Sequence, residues 1–419
     1  MLYKKVQNNA YHFFRLAMVI WLLFAYRLLL NMIPDQVFIE DGDLRELDFH
    51  MPVTFATEEA GEQIIDTSAY IQRTDTVAAD FIPSKINLTA KLFGIIPVKR
   101  VQADIVSEQS LYVSGEVVGI YVKTDGVMVI GSGSFKGKDN TTYEPARNVL
   151  KSGDYICKVD GETVSSKEAL IEAVNRREGG HVVLSVRRNN ELIDLYIQPR
   201  QAEDGYYKLG VWVRDDLAGI GTLTYVRGDG SYGALGHAIT DIDTGLDIEI
   251  EEGKLYNSNV VGIVRGKAGS PGELSGVIRY DNRYCMGEIL TNTQQGIFGQ
   301  LFAGNNLEEH CRSYPIGYKQ DIETAPAVVI CDVDGVIREF KIDIVEVNYH
   351  TGKEHNSILF KVKDEELLEL TGGIVQGMSG SPIIQNGRII GAVTHVFVQD
   401  STKGYGIFIE NMLLKEGES

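Results

Sequence analysis

Gly377-Met378-Ser379-Gly380-Ser381-Pro382 runs directly into Ile383-Ile384-Gln385-Asn386-Gly387-Arg388-Ile389-Ile390-Gly391-Ala392-Val393, and the rest of the chain can be read outward from this stretch. A serine hydroxyl is a poor nucleophile. It needs a base to take its proton and N–H donors where negative charge develops on the substrate oxygen. Gly377 permits a backbone twist that turns its own N–H and that of Ser379 into one hole, and Gly380 leaves room for a substrate. Ser381 is a rival hydroxyl, but it lies after Gly380, where this pattern puts no reacting group. The apolar run, the Asn-Gly pair and the second apolar run read as a strand, a type I′ turn and a returning strand. A glycine-serine loop before a hairpin can also be an ordinary turn, so the base decides.

At neutral pH that base is a histidine. Of the eight histidines, His12, His50 and His181 fall well before the serine-bearing region, and His310, His350 and His355 stand in polar, loop-like contexts. His237 sits among small residues in Gly233-Ala234-Leu235-Gly236-His237-Ala238-Ile239-Thr240-Asp241. Its distance from Ser379 suits a base on one barrel and a nucleophile on another. The nucleophile loop followed by a hairpin resembles the trypsin-like double β-barrel peptidases. His395, in Val393-Thr394-His395-Val396-Phe397, has two readings. It is a core histidine, or it walls the pocket for the residue before the cut, as the returning strand does in trypsin-like folds. The group that holds the base in the right tautomer is a carboxylate in such enzymes. Asp241, Asp332, Asp334, Asp343 and Asp364 are all available, and the residues alone leave the choice open.

Upstream, residues 101–200 resemble a PDZ domain. Val118-Gly119-Ile120 has the Φ-Gly-Φ form of a terminus-binding loop, and Leu150-Lys151-Ser152-Gly153-Asp154-Tyr155-Ile156-Cys157-Lys158-Val159-Asp160-Gly161 follows. A helix capped by Ser166 comes next, with apolar residues at helical spacing. The resemblance implies capture of a peptide by strand addition at Val118, Gly119 and Ile120. Residues 35–100 begin acidic and show weak periodicity, so they read as a juxtamembrane stalk. Phe13 to Ile33 is apolar on all sides and long enough to span a bilayer. Lys4, Lys5 and Arg15 precede or open this run, which keeps the amino terminus cytoplasmic and exports the rest. No A-x-A-like cleavage site follows, so residues 1–34 read as a retained signal anchor.

Anchor, PDZ-like module and then the Gly-His-Ala-Ile and Gly-Met-Ser-Gly-Ser-Pro motifs together resemble the stage IV sporulation protein B (SpoIVB) peptidases of endospore-forming bacteria. The resemblance implies a mainly β fold, with the trypsin-like double barrel over residues 201–419. It implies a Ser379–His237 pair, an oxyanion hole from the N–H groups of Gly377 and Ser379, and an acid shortly before the serine. Lys361-Val362-Lys363-Asp364-Glu365-Glu366-Leu367-Leu368 matches that place, which selects Asp364, although the same aspartate is a natural helix cap. The implied function is endoproteolysis of the chain itself and of a membrane-anchored regulator, releasing an intramembrane protease that activates a late sigma factor. The implied location is the space between the forespore and mother-cell membranes, with part of the protein shed in soluble form. Two rivals are a tethered PDZ adaptor with an inactive barrel and a quality-control protease of broad specificity.

Composition narrows the field. Forty basic residues face 58 acidic ones, for a net charge of −18, the wrong sign for a nucleic-acid partner. The four cysteines (Cys157, Cys285, Cys311 and Cys331) contain no C-x-x-C pair. A zinc site is therefore not expected, and neither metal nor organic cofactor is needed for the chemistry. Buried thiols are the plain reading, and a Cys285–Cys311 disulfide is the alternative for an exported domain.

Overall fold

The structure, a computed structural model, describes residues 2–40, 53–57, 84–304, 311–349 and 356–417. His50, His310, His350 and His355 lie outside the described residues. The first element is the helix Leu2–Met32. Its segment Phe13–Met32, with a mean hydropathy of 1.9, is long and apolar enough to cross a membrane, and none of it is buried in the protein. At the carboxyl end of the helix, Lys99 Nζ donates to the carbonyls of Leu30 and Ile33 and pairs with Asp35 at 2.8 Å. A cation there satisfies carbonyls that have no partner within the helix.

The described part of the expected stalk is folded, which corrects the sequence reading. Strand Gln36–Glu40 pairs in parallel with Ile96–Val106, which pairs with Ser84–Leu92 and through it with Val53–Thr57. One face buries Ile33, Val37, Ile39, Leu88, Ala90, Val101 and Ala103. Opposite Val37 and Ile39, Phe38 turns to the other face, where its ring stacks on Tyr318 with centroids 5.0 Å apart. Gln320 Nε2 donates to the Phe38 carbonyl at 2.6 Å, and Arg388 pairs with Glu40 at 3.1 Å. The alternation was short in each strand, and the parallel partner lies far along the chain. The remainder of the stretch, 41–52 and 58–83, lies outside the described residues.

Two antiparallel strands of sixteen residues each, Val117–Ser132 and Val211–Val226, organise the middle of the molecule. Their register shifts between Arg214 and Asp216, so each strand serves two bodies. On one side of the shift, residues 127–132 and 211–214 combine with Tyr155–Val159, Val182–Arg188, Glu191–Ile197 and the helix Lys167–Asn175. Their core is Val127, Val129, Ile156, Leu170, Val174 and Leu184. The Ser166 hydroxyl caps this helix by accepting from Ala169 N at 3.1 Å. The PDZ-like module is therefore inserted into a barrel strand pair and does not precede the barrel. It ends beyond residue 200, and residues 101–106 belong to the first sheet.

On the other side of the shift the same strands continue through Ser231–Ala234, Gly296–Leu301, Cys285–Thr293 and Ile250–Val264. The last of these pairs again with Val117–Ser132 and closes a six-stranded barrel. A second closed barrel follows from Pro326–Asp332, Ile337–Val347, Ile358–Val362, Lys403–Phe408, Arg388–Val396 and Pro382–Gln385. The expected hairpin is part of it, and Asn386 (φ 50°) and Gly387 (φ 76°) form its turn. The helix Ile409–Glu416 buries Ile409, Met412 and Leu413 against both barrels. No disulfide joins the described cysteines.

Candidate active site

The nucleophile loop lies between Val375–Gln376 and Pro382–Gln385 of the second barrel, and its glycines are required by contact with the first. Gly377 and Gly380 have φ of 98° and 95°. A Cβ on Gly380 would stand 2.0 Å from the Thr222 carbonyl oxygen, closer than any side chain tolerates. The loop is stitched to strand Val211–Val226 by three bonds. Thr222 N donates to Ser379 O at 2.8 Å, Thr222 Oγ1 to Gly377 O at 2.9 Å, and Thr224 Oγ1 to Gly380 O at 2.7 Å. Both threonines are fully buried.

Within this loop the N–H groups divide into two sets. Those of Met378, Gly380 and Ser381 donate to Val375 O, Val393 O and Met378 O. Those of Gly377 and Ser379 make no such bond among the described residues, which leaves two donors beside one hydroxyl, as an oxyanion hole requires. Ser381 is fully buried, so the rival hydroxyl has no access to substrate.

His237 arrives from the first barrel. Leu235 (φ 68°) and Gly236 (φ 70°) end strand Ser231–Ala234 with a sharp turn that delivers the imidazole into the cleft. His237 Nδ1 lies 2.7 Å from the carbonyl oxygen of Ala238. A carbonyl can only accept, so Nδ1 carries the proton and Nε2 keeps its lone pair, the tautomer a general base needs. Ser379 Oγ donates to the Thr394 carbonyl at 2.6 Å, which parks the hydroxyl proton on the barrel wall. The two side chains line a single cavity of about 970 Å³ between the barrels, together with Gly377, Thr394, His395 and Arg214.

His395 is exposed in this cavity, which overturns the core reading. Its ring lies against that of His237, with centroids 4.7 Å apart and planes inclined by 38°. Asp364 is elsewhere. Its carboxylate caps the helix Glu365–Thr371, accepting from Glu366 N and Leu367 N at 3.1 and 3.3 Å, and also accepts from Lys341 N. It does not line the cavity, which corrects its assignment to the triad. The other candidates are also engaged. Asp241 holds its own loop and pairs with Arg214, Asp332 accepts from Gly335 N, Asp334 pairs with Arg338, and Asp343 with Lys363. Among the described residues none of the five hydrogen-bonds His237. The Ala238 carbonyl occupies the place expected of a carboxylate.

The PDZ reading also needs a correction. Val118, Gly119 and Ile120 form the middle of a barrel strand, paired with 219–221 on one side and 255–257 on the other, so their backbone cannot receive a peptide. The module's groove is a cavity of about 620 Å³ between the helix Lys167–Asn175 and residues 206–213, lined by Leu170, Ile171, Val174 and Trp212. A second Φ-Gly-Φ motif, Leu209-Gly210-Val211, lies along it, and Gly210 has a φ of 73°. That motif stood in the sequence just past the expected boundary.

Two barrels that bring a glycine-flanked serine and a histidine whose Nδ1 is held by a backbone carbonyl into one cleft define a serine peptidase of double-barrel fold. Residues 205–413 match the family model of the SpoIVB peptidase S55, and this part of the chain belongs to that family. The PDZ domain of the SdrC-like protein from Listeria monocytogenes is similar at 24% identity, over 22% of this chain and 90% of that one, with a TM-score of 0.18. The Rv3671c protease in its inactive form is similar at 15% identity, over 47% of this chain and 84% of that one, with a TM-score of 0.23. A serine-to-alanine mutant of that protease, from M. tuberculosis H37Rv, is similar at 14% identity, over 48% and 82%, with a TM-score of 0.23. No curated protein matches the chain in sequence.

Proposed function

We propose that this serine peptidase is a membrane-anchored signalling endopeptidase of sporulation, cutting itself and a membrane-anchored regulator. Through the regulator it would release an intramembrane protease and activate a late sigma factor, in the space between the forespore and mother-cell membranes. The observation that carries the reading is the cleft in which Ser379 and His237 meet from separate barrels. The membrane-competent helix Phe13–Met32 agrees with a substrate held at the same bilayer. The groove at Leu209-Gly210-Val211 suits an extended peptide end, added as a strand and walled by Leu170 and Val174.

In this mechanism Ser379 Oγ turns from Thr394 O towards the cleft and attacks the scissile carbonyl carbon while His237 Nε2 takes its proton. The oxyanion falls to the N–H groups of Gly377 and Ser379. The bond from Nδ1–H to Ala238 O steadies the imidazolium, which then gives its proton to the leaving amine. Water, deprotonated by the same nitrogen, then attacks the acyl carbon, the ester bond to Ser379 Oγ breaks, and Oγ takes the proton back from His237. A self-cut between strands Gln36–Glu40 and Ser84–Leu92 severs the chain but leaves the first strand paired with Ile96–Val106. Shedding of the body then also requires that ladder to open.

The test is co-reconstitution of the full chain with its membrane-anchored regulator in vesicles, followed by amino-terminal sequencing of the products. Specific cuts in both proteins, absent with Ser379→Ala, are expected. A regulator left whole while an unfolded protein is degraded would point to quality control instead.

A further inference from the structure

We infer that the hairpin tip Leu92-Phe93-Gly94-Ile95-Ile96 is a second membrane contact, seated in the interfacial layer of the bilayer that the anchor helix crosses. The inference rests on the reading of Phe13–Met32 as a membrane span. The tip joins strands Ser84–Leu92 and Ile96–Val106 and leaves Phe93, Ile95 and Ile96 exposed by 68%, 79% and 54%. Phe93 is held there at a φ of 53°, unusual for an aromatic residue, with Gly94 at 73° completing the turn. Three large apolar side chains presented to water at one tip leave their burial unrealised, which favours a partner that removes them from water.

Position identifies what covers them. Strand Ile96–Val106 runs parallel to Gln36–Glu40 with Gln36 opposite Gln102, so the chain before Gln102 runs back beside the end of the anchor helix. Lys99 reaches the carbonyls of Leu30 and Ile33, and Val98 and Leu29 pack on the same apolar cluster. The tip lies three to six residues further back. At about 3.3 Å per residue the tip stands roughly 10–20 Å along the strand from Lys99, on the side where the apolar span ends.

Charge agrees with position. Residues 84–100 contain Lys85, Lys91, Lys99 and Arg100 and no acidic residue, in a chain of net charge −18. Apolar side chains at a tip with basic residues behind it match a bilayer surface, with acyl chains for Phe93, Ile95 and Ile96 and lipid phosphates for Lys85 and Lys91. With two contacts the peptidase cannot swing freely about its anchor, so its cleft is held at a fixed attitude to the bilayer.

The experiment uses the full chain in phosphatidylcholine–phosphatidylglycerol vesicles carrying brominated lipids with the bromines high on the acyl chain. The chain has two tryptophans, Trp21 in the span and Trp212 in the PDZ-like groove. One variant, Trp212→Phe, reports on the span. A second, Trp21→Phe/Trp212→Phe/Phe93→Trp, reports on the tip, and retained labelling of Ser379 by a fluorophosphonate shows that it is folded. The tip reporter is expected to emit blue-shifted light and to lose roughly half or more of its intensity to the bromines, as an interfacial group does. Water-like, unquenched emission from the tip while Trp21 is shielded from aqueous iodide would overturn the hairpin contact and leave the anchor reading standing. If Trp21 is also open to iodide, both fail.

Discussion

The imidazole of His395, on the second barrel, packs against that of His237, on the first, with ring centroids 4.7 Å apart. The two rings meet in the cleft that Ser379 also lines. His395 therefore bounds the space in which His237 can turn, and it does so by contact of ring surfaces. His395→Ala is expected to lower kcat by roughly tenfold or more with little change in KM, and His395→Phe should restore much of it, since the loss is one of positioning. Steady-state kinetics on a peptide substrate checks this. A changed preference for the residue before the cut, with kcat intact, would return His395 to the specificity pocket.

Asp364 acts on stability. Its oxygens serve the N–H groups that open the helix Glu365–Thr371, and asparagine can do the same. Asp364→Asn is expected to keep near-wild-type activity, and Asp364→Ala to cost about 1 kcal/mol of stability with a modest effect on rate. Thermal melts and kinetics on both variants decide it. A loss of about 10⁴-fold in Asp364→Asn, as for a triad acid, would contradict the geometry.

The sequence showed Asp364 without showing its use, because Asp-Glu-Glu-Leu-Leu fits a helix cap and a triad acid equally well. That Ser379 and His237 share one cavity was foreshadowed in the sequence, because few contexts explain glycine on both sides of a serine ahead of a hairpin, or small residues around a histidine. The Φ-Gly-Φ form was ambiguous for a topological reason. Val118-Gly119-Ile120 and Leu209-Gly210-Val211 both satisfy it, and only the pairing of Val117–Ser132 with two barrel strands disqualifies the first. The same blindness to distant pairing hid the sheet that joins Gln36–Glu40 to Ile96–Val106. The Ala238 carbonyl could not be found from residue types at all, since every residue has one.

Thr222 ties the nucleophile loop to the opposite barrel through both its N–H and its hydroxyl. Thr222→Val preserves shape and removes only the hydroxyl bond to Gly377 O, a half-buried contact worth about 0.5–1.5 kcal/mol. Slower fluorophosphonate labelling of Ser379 is expected, by roughly tenfold, with both barrels intact by circular dichroism. Labelling at the wild-type rate would show that the oxyanion loop needs no support from the first barrel.

Arg214 and Asp215 link the PDZ-like module to the cleft at the point where the long strands change register. Arg214 pairs with buried Asp241, four residues after His237, and Asp215 accepts from Lys167 N at the start of the groove helix at 2.8 Å. Arg214→Met leaves Asp241 as an unpaired buried carboxylate, a defect of about 3–5 kcal/mol. Reduced cleavage is expected, together with faster hydrogen exchange in 238–247. Unchanged exchange in that loop would remove Arg214 from the account.

The most direct test of the central claim is to map, by mass spectrometry, where a fluorophosphonate attaches in the full chain. The account predicts a single adduct on Ser379, its absence in Ser379→Ala, and labelling slowed by about 10³-fold or more in His237→Ala, whose base is gone. An adduct on Ser381, or undiminished self-cleavage by purified Ser379→Ala, would contradict it.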